Sequence, residues 1–282
     1  MARNSKIEWC DHTFNPWIGC TKVSPACDNC YAQALTNRFK QVEWGHGKKR
    51  KLTSPVNWKQ PLFWNTRAER LNQRFKVFCA SLADVFDPEV PNEWRDRLFV
   101  LIKSTPHLDW LVLTKRPKIA RDYLAKHDLI TNLWLGTTVE NQKMANLRIP
   151  LLIDTPAAKH FLSCEPLLGP IDLPEIHHLD WVIAGGESGP KARAMSPDWA
   201  RSLQKQCEAA SIPFFFKQWG EWRPRSGKIL KGGNATLSHP TAIHPEDITC
   251  VMERVGKKKA GQLLDGQEYS QFPIPACLET AS

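Results

Sequence analysis

Six short apolar segments, each followed by polar residues, constrain the fold of this chain more than any other feature. They are rich in β-branched, aromatic and leucine residues, and they lack the alternation typical of a strand with one face in water. Such segments are typical of buried strands in a parallel sheet. The six segments are Val77–Leu82, Trp110–Thr114, Leu133–Val139, His160–Cys164, Trp181–Ala184 and Pro213–Phe216.

Helical patterns lie between most of these segments, and alternating strands and helices predict parallel βαβ units. The last helix has Ser196 as its expected N-cap and Pro197 at its first position. With a further strand near Ile7–Trp9, we expect an α/β fold with a parallel (β/α) barrel or partial TIM-like barrel of about six to seven strands. The helical patterns are Trp94–Ser104, Lys118–His127, Gln142–Arg148 and Pro197–Ala210.

The pattern changes after Trp219, where glycine, lysine, arginine and serine become frequent. We therefore expect a barrel domain over residues 1–219 and a C-terminal appendage over residues 220–282 that packs on the barrel. A strand and a basic turn are expected within this appendage, from Cys250 to Gly261.

Polar or charged side chains follow each of the six segments. In (β/α) barrels the active site is built at the carboxyl ends of the strands, so these side chains are expected to converge on one cavity. Loop residues are polar in most proteins, and for any one of them an ordinary solvated position is the alternative. The candidate catalytic residues are Asp84, Lys115, Glu140, Glu165, Glu187 and Lys217, with Asp87 and Arg116 beside them.

Three cysteines lie on a segment that Pro16, Gly19 and Pro25 prevent from forming a helix before Tyr31. Clustered thiols on a loop in a reducing compartment favour metal or iron–sulfur ligation over disulfides. Structural zinc prefers four ligands, whereas three thiolates leave one coordination position open. The predicted ligands are Cys20, Cys27 and Cys30.

Cys10 leaves a second interpretation open, because it would complete a four-thiolate zinc site with the other three. Against this, the C-x2-C pair expected on both sides of such a site occurs only once. The remaining cysteines are expected to be buried thiols, with Cys164 beside Glu165 as the one that could differ; they are Cys79, Cys164, Cys207, Cys250 and Cys277.

Composition and charge narrow the class of protein and its partners. The 282 residues are 42% hydrophobic and 24% charged, which is typical of a soluble globular chain. No apolar run approaches the roughly 20 residues of a membrane helix, and the start lacks a signal-peptide pattern, so we expect a cytoplasmic protein without membrane partners. A net charge of +9 is compatible with a nucleic-acid partner or with a basic protein that has none.

A basic segment near two tryptophans is the candidate nucleic-acid surface, since lysine and arginine bind phosphates and exposed rings stack on bases. The alternative is a solvated loop beside core aromatic residues. The candidate residues are Lys48, Lys49, Arg50, Lys51, Trp58 and Trp64.

The cysteine segment after the first strand of a parallel barrel resembles the radical S-adenosylmethionine superfamily. The chain is still more similar to a phage- and prophage-associated family of radical-SAM-like proteins of unknown function, over blocks that span residues 7–219. Those blocks are Asn15-Pro-Trp-Ile-Gly-Cys20, Cys27-Asp-Asn-Cys-Tyr-Ala32, Leu113-Thr-Lys-Arg-Pro117, Ser163-Cys-Glu-Pro-Leu167 and Ala184-Gly-Gly-Glu-Ser-Gly189.

This resemblance implies that Cys20, Cys27 and Cys30 hold a [4Fe–4S] cluster whose open iron binds S-adenosyl-L-methionine. Asn29 and Tyr31 are then expected near the cofactor. The chain departs from the superfamily in having six residues between the first two cysteines instead of three. It also departs in carrying Gly185-Gly186-Glu187 several strands late, so no role is transferred to that triplet.

The resemblance implies an enzyme that needs an electron donor and performs radical chemistry, with a nucleic acid or nucleotide as the expected substrate of a phage-related modification or repair. In this scheme Glu140 and Asn141 bind ribose hydroxyls. Lys115, Arg116 and Lys217 bind phosphate or carboxylate, and Asp84, Glu165 and Glu187 orient the substrate or move protons. The alternative is a non-catalytic nucleic-acid-binding protein with structural zinc.

Overall fold

In the computed structural model, which describes residues 5, 7–39, 42–225, 235–237 and 251–273, seven parallel strands form one sheet that curls into a half-barrel. The strands in chain order are β1 (His12–Phe14), β2 (Trp17–Ile18), β3 (Lys51–Leu52), β4 (Phe75–Cys79), β5 (Leu108–Thr114), β6 (Leu133–Thr138), β7 (Lys159–Cys164), β8 (Trp181–Gly185), β9 (Phe214–Gln218), β10 (Trp222–Pro224), β11 (Ala235–Leu237) and β12 (Val251–Arg254). The half-barrel has the order β1-β4-β5-β6-β7-β8-β9, so each of the strands β5 to β9 lies next to the strand before it in the chain.

Helices flank the outer face of the sheet, as parallel connections require. The helices are α1 (Tyr31–Arg38), α2 (Pro55–Arg70), α3 (Asn92–Lys103), α4 (Pro117–Leu124), α5 (Gln142–Ile153), α6 (Pro197–Ala209) and α7 (Lys257–Ala260). At the start of α2, the Ser54 side chain accepts the Asn57 N–H, and Pro55 takes the first helical position. None of these helices is long and apolar enough to span a lipid bilayer.

Two apolar cores lie on the two faces of the sheet. The larger fills the space between sheet and helices, and the smaller fills the concave inner face. Side chains alternate across a strand, so one set of residues supplies each core. The inner core consists of Trp9, Cys10, Phe78, Leu111, Trp134, Phe161, Trp181, Ile183 and Phe215.

The predicted α/β half-barrel is confirmed, and each of the six apolar segments overlaps a strand of the sheet by three residues or more. The position of the first strand was wrong. Residues 7–9 form a turn, and His12–Phe14 pair with β4 instead. Ile7 and Trp9 are apolar because they pack on the inner core, not because they belong to the sheet.

The C-terminal residues are joined to the half-barrel. Strands β10, β11 and β12 form a small antiparallel sheet, and Met252 and Leu264 are buried in the larger core. Ser270 forms an antiparallel bridge with Phe215 of β9, and the Phe216 N–H donates to the Tyr269 carbonyl. Cys250 and Cys277 lie outside the described residues.

Candidate functional site at the rim of the half-barrel

One cavity of about 400 Å³ opens at the carboxyl ends of the strands, and the three clustered cysteines line it. Five of the six candidate catalytic residues line the same cavity, so the predicted convergence is confirmed for them. They are Asp84, Lys115, Glu165, Glu187 and Lys217. Glu140 was expected there too, but it lies outside the lining residues and is fully buried behind the cysteines.

The cysteines belong to the segment from Gly19 to Cys30, here called the cysteine loop, which follows β1 and β2. The Gly19 N–H donates to the Leu82 carbonyl, and the Gly45 N–H donates to the Cys20 carbonyl. A 3₁₀ turn covers Pro25–Cys27, and α1 begins directly after Cys30. Cys20, Cys27 and Cys30 are partly buried. Across the described parts of the chain, no three His, Cys, Asp or Glu side chains are grouped to hold a single metal ion.

Cys20 is held by a buried ion pair between Asp84 and Arg116. Arg116 Nη1 lies 2.9 Å from Asp84 Oδ2 and 3.5 Å from Cys20 Sγ, and its Nη2 donates to the Thr21 carbonyl at 2.8 Å. Burial, with the nearby Asp84 charge, raises the pKa of the Cys20 thiol to about 12, against the opposing effect of Arg116. A metal replaces such a proton when it binds, because the ligand is the thiolate.

A second buried pair, formed by Glu140 and Arg148, holds the cysteine loop at Ala26, directly before Cys27. Glu140 Oε1 accepts the N–H of Ala26, the residue before Cys27, at 3.2 Å. Its Oε2 lies 3.0 Å from Arg148 Nη1, which also donates to the Thr138 carbonyl. Glu140 therefore positions the cysteine loop and has no free oxygen directed at the cavity.

A third pair, formed by Glu187 and Arg193, holds the cysteine loop at Asn29, directly before Cys30, and at Pro25. Glu187 Oε2 accepts the Asn29 amide at 3.0 Å, and both of its oxygens accept from Arg193. Arg193 also donates to the Pro25 carbonyl at 2.9 Å. Burial raises the pKa of Glu187, but the hydrogen bonds from Arg193 and Asn29 outweigh it and leave that pKa below its ordinary value.

The cysteine loop is therefore held at three places by carboxylate–arginine pairs, whose carboxylates come from the segments that follow β4, β6 and β8. Asp84 is further occupied by the N–H groups of Phe86 and Lys115 and by the Thr114 hydroxyl. These three carboxylates had been predicted to act on a substrate. Their hydrogen bonds fix the cysteine loop, and the roles predicted for them toward a substrate stay predictions.

Glu165 and Lys217 are the pair best placed to meet a ligand. Lys217 Nζ lies 3.1 Å from Glu165 Oε1 across the inner face, and it lies 6.0 Å from the centre of the Trp9 ring. A Cβ at Gly185 would lie 2.6 Å from Glu165 Oε1, so glycine gives this carboxylate its room. Lys115 lines the cavity and has no ion-pair partner within the described part of the chain.

Three side chains of the cavity wall keep a buried polar atom that has no hydrogen-bond partner among the described residues. They are the indole N–H of Trp9, the hydroxyl of Thr138 and the amide oxygen of Gln218, each more than nine-tenths buried. An unsatisfied buried polar group costs about 1–3 kcal/mol.

Of the three residues expected to bind the cofactor besides Glu140, two line the cavity and Asn141 does not. Asn29 and Tyr31 line the cavity, and the Tyr31 hydroxyl donates to the Ser81 carbonyl at 2.8 Å. Asn141 does not line it. Its side-chain oxygen accepts the Met144 N–H as the N-cap of α5, so its role is in the helix and not in ribose binding.

The tryptophans of the predicted nucleic-acid surface are core residues, which corrects that assignment. Trp58 and Trp64 are only 5% and 6% exposed. Trp58 packs under Arg97, and Trp64 stacks on His12 with ring centres 4.3 Å apart, so neither ring is accessible to a base.

Arg50 is also unavailable to a nucleic acid, because its buried guanidinium is bound to Asp87 at 2.8 Å and donates to the Thr21 hydroxyl. The three neighbouring lysines are exposed, and Lys48 pairs with Glu43 at 2.7 Å. Phosphate binding by Lys48, Lys49 and Lys51 stays a prediction.

The other cysteines behave as expected from their apolar surroundings. Cys79, Cys164 and Cys207 are buried free thiols, and burial raises the pKa of each, that of Cys207 to about 12. Cys10 is buried as well, with its thiol 3.3 Å from the Ser5 hydroxyl, and it does not line the cavity.

Two residues of the loop-holding pairs were absent from the sequence prediction. Arg148 lies within α5 and Arg193 within the long connection before α6, so neither directly follows a strand. The sequence offered one signal for these arginines, namely the number of acidic residues expected at the rim. Each carboxylate that becomes buried needs a cation or several hydrogen-bond donors.

The chain was compared with known families, curated proteins and solved structures. The family described as "Protein of unknown function (DUF5131)" matches residues 4–273, which is nearly the whole chain. No curated protein and no solved structure shows a significant match.

Proposed function

The chain belongs to the DUF5131 family of proteins of unknown function, and we propose that it is a radical S-adenosylmethionine-type iron–sulfur enzyme. The observation that carries the proposal is the grouping of Cys20, Cys27 and Cys30 on the wall of one rim cavity, on a loop that three carboxylate–arginine pairs hold in place. A loop held at three points is suited to a cofactor that needs three thiolates in a fixed arrangement.

The donor set fits an iron–sulfur cluster. Three thiols are soft ligands of the kind that such clusters require, and Cys10 is engaged with Ser5 away from the cavity. Cys20, Cys27 and Cys30 would hold the cluster, and the Arg116 guanidinium beside Cys20 would offset the negative charge of the thiolates. When bound, the cluster and S-adenosylmethionine supply a 5′-deoxyadenosyl radical that abstracts hydrogen from the substrate.

The residues of the chain contribute binding, orientation and proton handling. Lys115 and Lys217 offer cations to an anionic substrate group, and Glu165 can take or return a proton at Oε1 or Oε2. The Tyr31 ring, fixed through its hydroxyl, lies next to the cysteines and is available to pack against the cofactor. A nucleic acid or nucleotide is the substrate class we favour, as in phage-related modification or repair.

Iron content and S-adenosylmethionine cleavage test this function. The anaerobically prepared protein is expected to bind about four irons per chain, to give the electron paramagnetic resonance signal of a reduced cluster, and to release 5′-deoxyadenosine. Replacing Cys20, Cys27 or Cys30 by alanine should abolish all three properties. Cys10→Ala is the matched control and should keep them.

Two results would reject the proposal. Equal loss of iron in Cys10→Ala would remove the three-ligand assignment. A colourless protein that holds one zinc ion per chain through four thiolates, and that does not cleave S-adenosylmethionine, would favour the non-catalytic binding protein instead.

A further inference from the structure

We propose that a single-stranded nucleic acid lies across the mouth of the rim cavity, with its phosphates on one edge of the mouth and its bases on the other. Its role as substrate rests on the proposed function, whereas its binding does not. Two independent surfaces and the interior of the cavity lead to this inference.

The first surface, here called the basic edge, consists of Lys191, Arg254 and the three lysines of α7. Lys257 lines the cavity, and Lys258 and Lys259 follow it on the same short turn. All three lysines are exposed, and in the part of the chain that the structure describes none of them has a carboxylate partner. Exposed, unpaired cations in a row are what a phosphodiester strand neutralises.

The basic edge is continuous with the cysteine loop. Arg254 Nη2 donates to the carbonyls of Gly189 and Pro190 at 3.0 and 2.7 Å, which brings it beside Lys191. The Lys191 carbonyl in turn accepts the Asn29 amide at 2.9 Å. The cations therefore follow the mouth from α7 to the residue between Cys27 and Cys30.

The carboxylates along this edge are already engaged. Glu221 accepts the Gly189 N–H at 3.0 Å, Asp28 lies 3.3 Å from Arg193 Nη1, and Glu253 lies 2.7 Å from Arg223. They are too few to cancel the lysines and the arginine, so the edge stays positive.

The second surface, here called the aromatic stripe, consists of Tyr31, Leu35 and Phe39. Residues four apart share one face of a helix, so the three form a row along α1 and its last turn that starts at the cavity wall. They are 55%, 45% and 61% exposed, although an apolar row on a helix normally packs inward. Exposed rings beside a positive edge form the stacking platform of single-strand binders.

The interior of the cavity explains why one unit of a longer chain would enter it. At about 400 Å³ it lies toward the lower end of the roughly 300–1,000 Å³ range of ligand sites, and a nucleoside-sized cofactor would occupy much of it. Only the reacting part of a substrate then fits inside. A duplex would present neither unstacked bases nor a free Watson–Crick edge.

Fluorescence anisotropy with a labelled 12-nucleotide single strand tests the inference, using the complete chain without S-adenosylmethionine. For about four phosphate contacts, the affinity should fall roughly 50-fold between 50 and 200 mM salt. DNA and RNA strands of one sequence show which sugar is preferred, and both should bind more tightly than the duplex.

Two sets of variants test where the single-stranded nucleic acid binds. Lys257→Ala/Lys258→Ala/Lys259→Ala should reduce the slope of log affinity against log salt by about 2. The matched control, Lys103→Ala/Lys126→Ala/Lys205→Ala, removes three exposed lysines of the outer helices and should leave the slope unchanged. Phe39→Ala should weaken binding about fivefold or more, and Phe39→Tyr should retain it, because stacking needs a ring but not a particular one.

Three outcomes would overturn the inference. The first is a loss of slope in the control triple variant or in Lys48→Ser/Lys49→Ser/Lys51→Ser, with none in the α7 variant. The second is tighter binding of duplex or of a polyglutamate of equal charge than of the single strand, which would indicate a different partner. The third is absence of binding at 50 mM salt. A protein that fails to bind the strand but still cleaves S-adenosylmethionine refutes this inference alone. One that binds the strand but holds no iron after anaerobic preparation, and does not cleave S-adenosylmethionine, refutes the proposed function alone.

Discussion

At the scale of single residues, the rim shows how polar positions that look alike in sequence separate into two roles. Asp84, Glu140 and Glu187 each meet an arginine and hold the cysteine loop, whereas Glu165 meets a lysine across the cavity. The sequence places all four after strands and therefore predicts that they gather at one rim. It cannot assign the partners, because Arg148 and Arg193 come from positions that no strand-end rule selects.

Replacing Asp84 tests the loop-holding role. Asp84→Asn removes the nearer of the two carboxylates beside the buried Arg116 guanidinium and leaves Asp87 at 3.9 Å, so we expect a loss of about 3 kcal/mol in the free energy of unfolding. Urea unfolding of the metal-free protein measures it. The double variant Asp84→Asn/Arg116→Gln should lose less than the sum of the two single losses, since both removals affect one pair. Additive losses would show that the pair does not act as a unit.

The same pair predicts the effect of acid. Burial raises the pKa of Asp84, but Arg116 and three hydrogen bonds outweigh it and hold the pKa below its ordinary value of 3.8. A lowered folded-state pKa gives stability that is complete above the ordinary value and is lost as pH falls through the folded one. The difference in unfolding free energy between wild type and Asp84→Asn should therefore be constant from pH 7 to about pH 5 and shrink below pH 4. A difference that grows in acid would contradict this assignment.

At the scale of elements, the accuracy of sequence reasoning followed the strength of the local signal. Buried parallel strands are short apolar segments wherever they occur, and for that reason β4 to β9 were found. Helix α2 was not predicted, because Pro61 lies inside it and its apolar residues alternate with charged ones. The first strand was misplaced because burial of Ile7 and Trp9 on the inner core gives the same pattern as a strand.

Arg193 joins two elements, the cysteine loop and the segment after β8, and its loss should loosen the loop. We expect Arg193→Ala to speed amide hydrogen exchange over residues 26–31 about tenfold, which corresponds to a loss of about 1.4 kcal/mol in local opening. Arg201→Ala is the control, because Arg201 binds Asp265 on the outer surface at 2.6 Å. Equal exchange in the two variants would show that Arg193 does not hold the loop.

Strand β6 carries a glycine, Gly136, at a position where the inner core leaves no room for a side chain. A Cβ at Gly136 would overlap the Phe161 ring of the inner core. Gly136→Ala should therefore lower the free energy of unfolding by about 1–3 kcal/mol through overpacking. Gly169→Ala places its Cβ 3.5 Å from that of Asn141, an ordinary contact, and should change stability by less than about 0.5 kcal/mol. Thermal or urea unfolding of both variants decides whether the inner core is as tightly filled as its rings indicate.

At the scale of the whole molecule, the half-barrel is completed by residues from both ends of the chain. The curved sheet leaves a row of aromatic side chains on its concave face, and Trp9 from the N-terminal turn packs among them. From the other end Phe272 lies 5.2 Å from the Trp181 ring, and the Gln271 carbonyl accepts the Trp181 indole N–H. The sequence change after Trp219 suggested an appendage. In the structure, Gln271 and Phe272 from this part of the chain contact the inner core.

A chain that ends at residue 219 is therefore expected not to fold cooperatively. It would lose the Gly261 carbonyl that accepts the Trp219 N–H, the Leu263 carbonyl that accepts the Trp219 indole, and the cover of residues 269–271 over the edge of β9. An uncovered edge strand beside exposed aromatic rings favours aggregation. We expect the fragment to be insoluble, or to give no cooperative thermal transition by circular dichroism, and we expect a peptide of residues 251–273 added in trans to raise its solubility. A soluble fragment that unfolds cooperatively without the peptide would show that residues 1–219 are a domain in their own right.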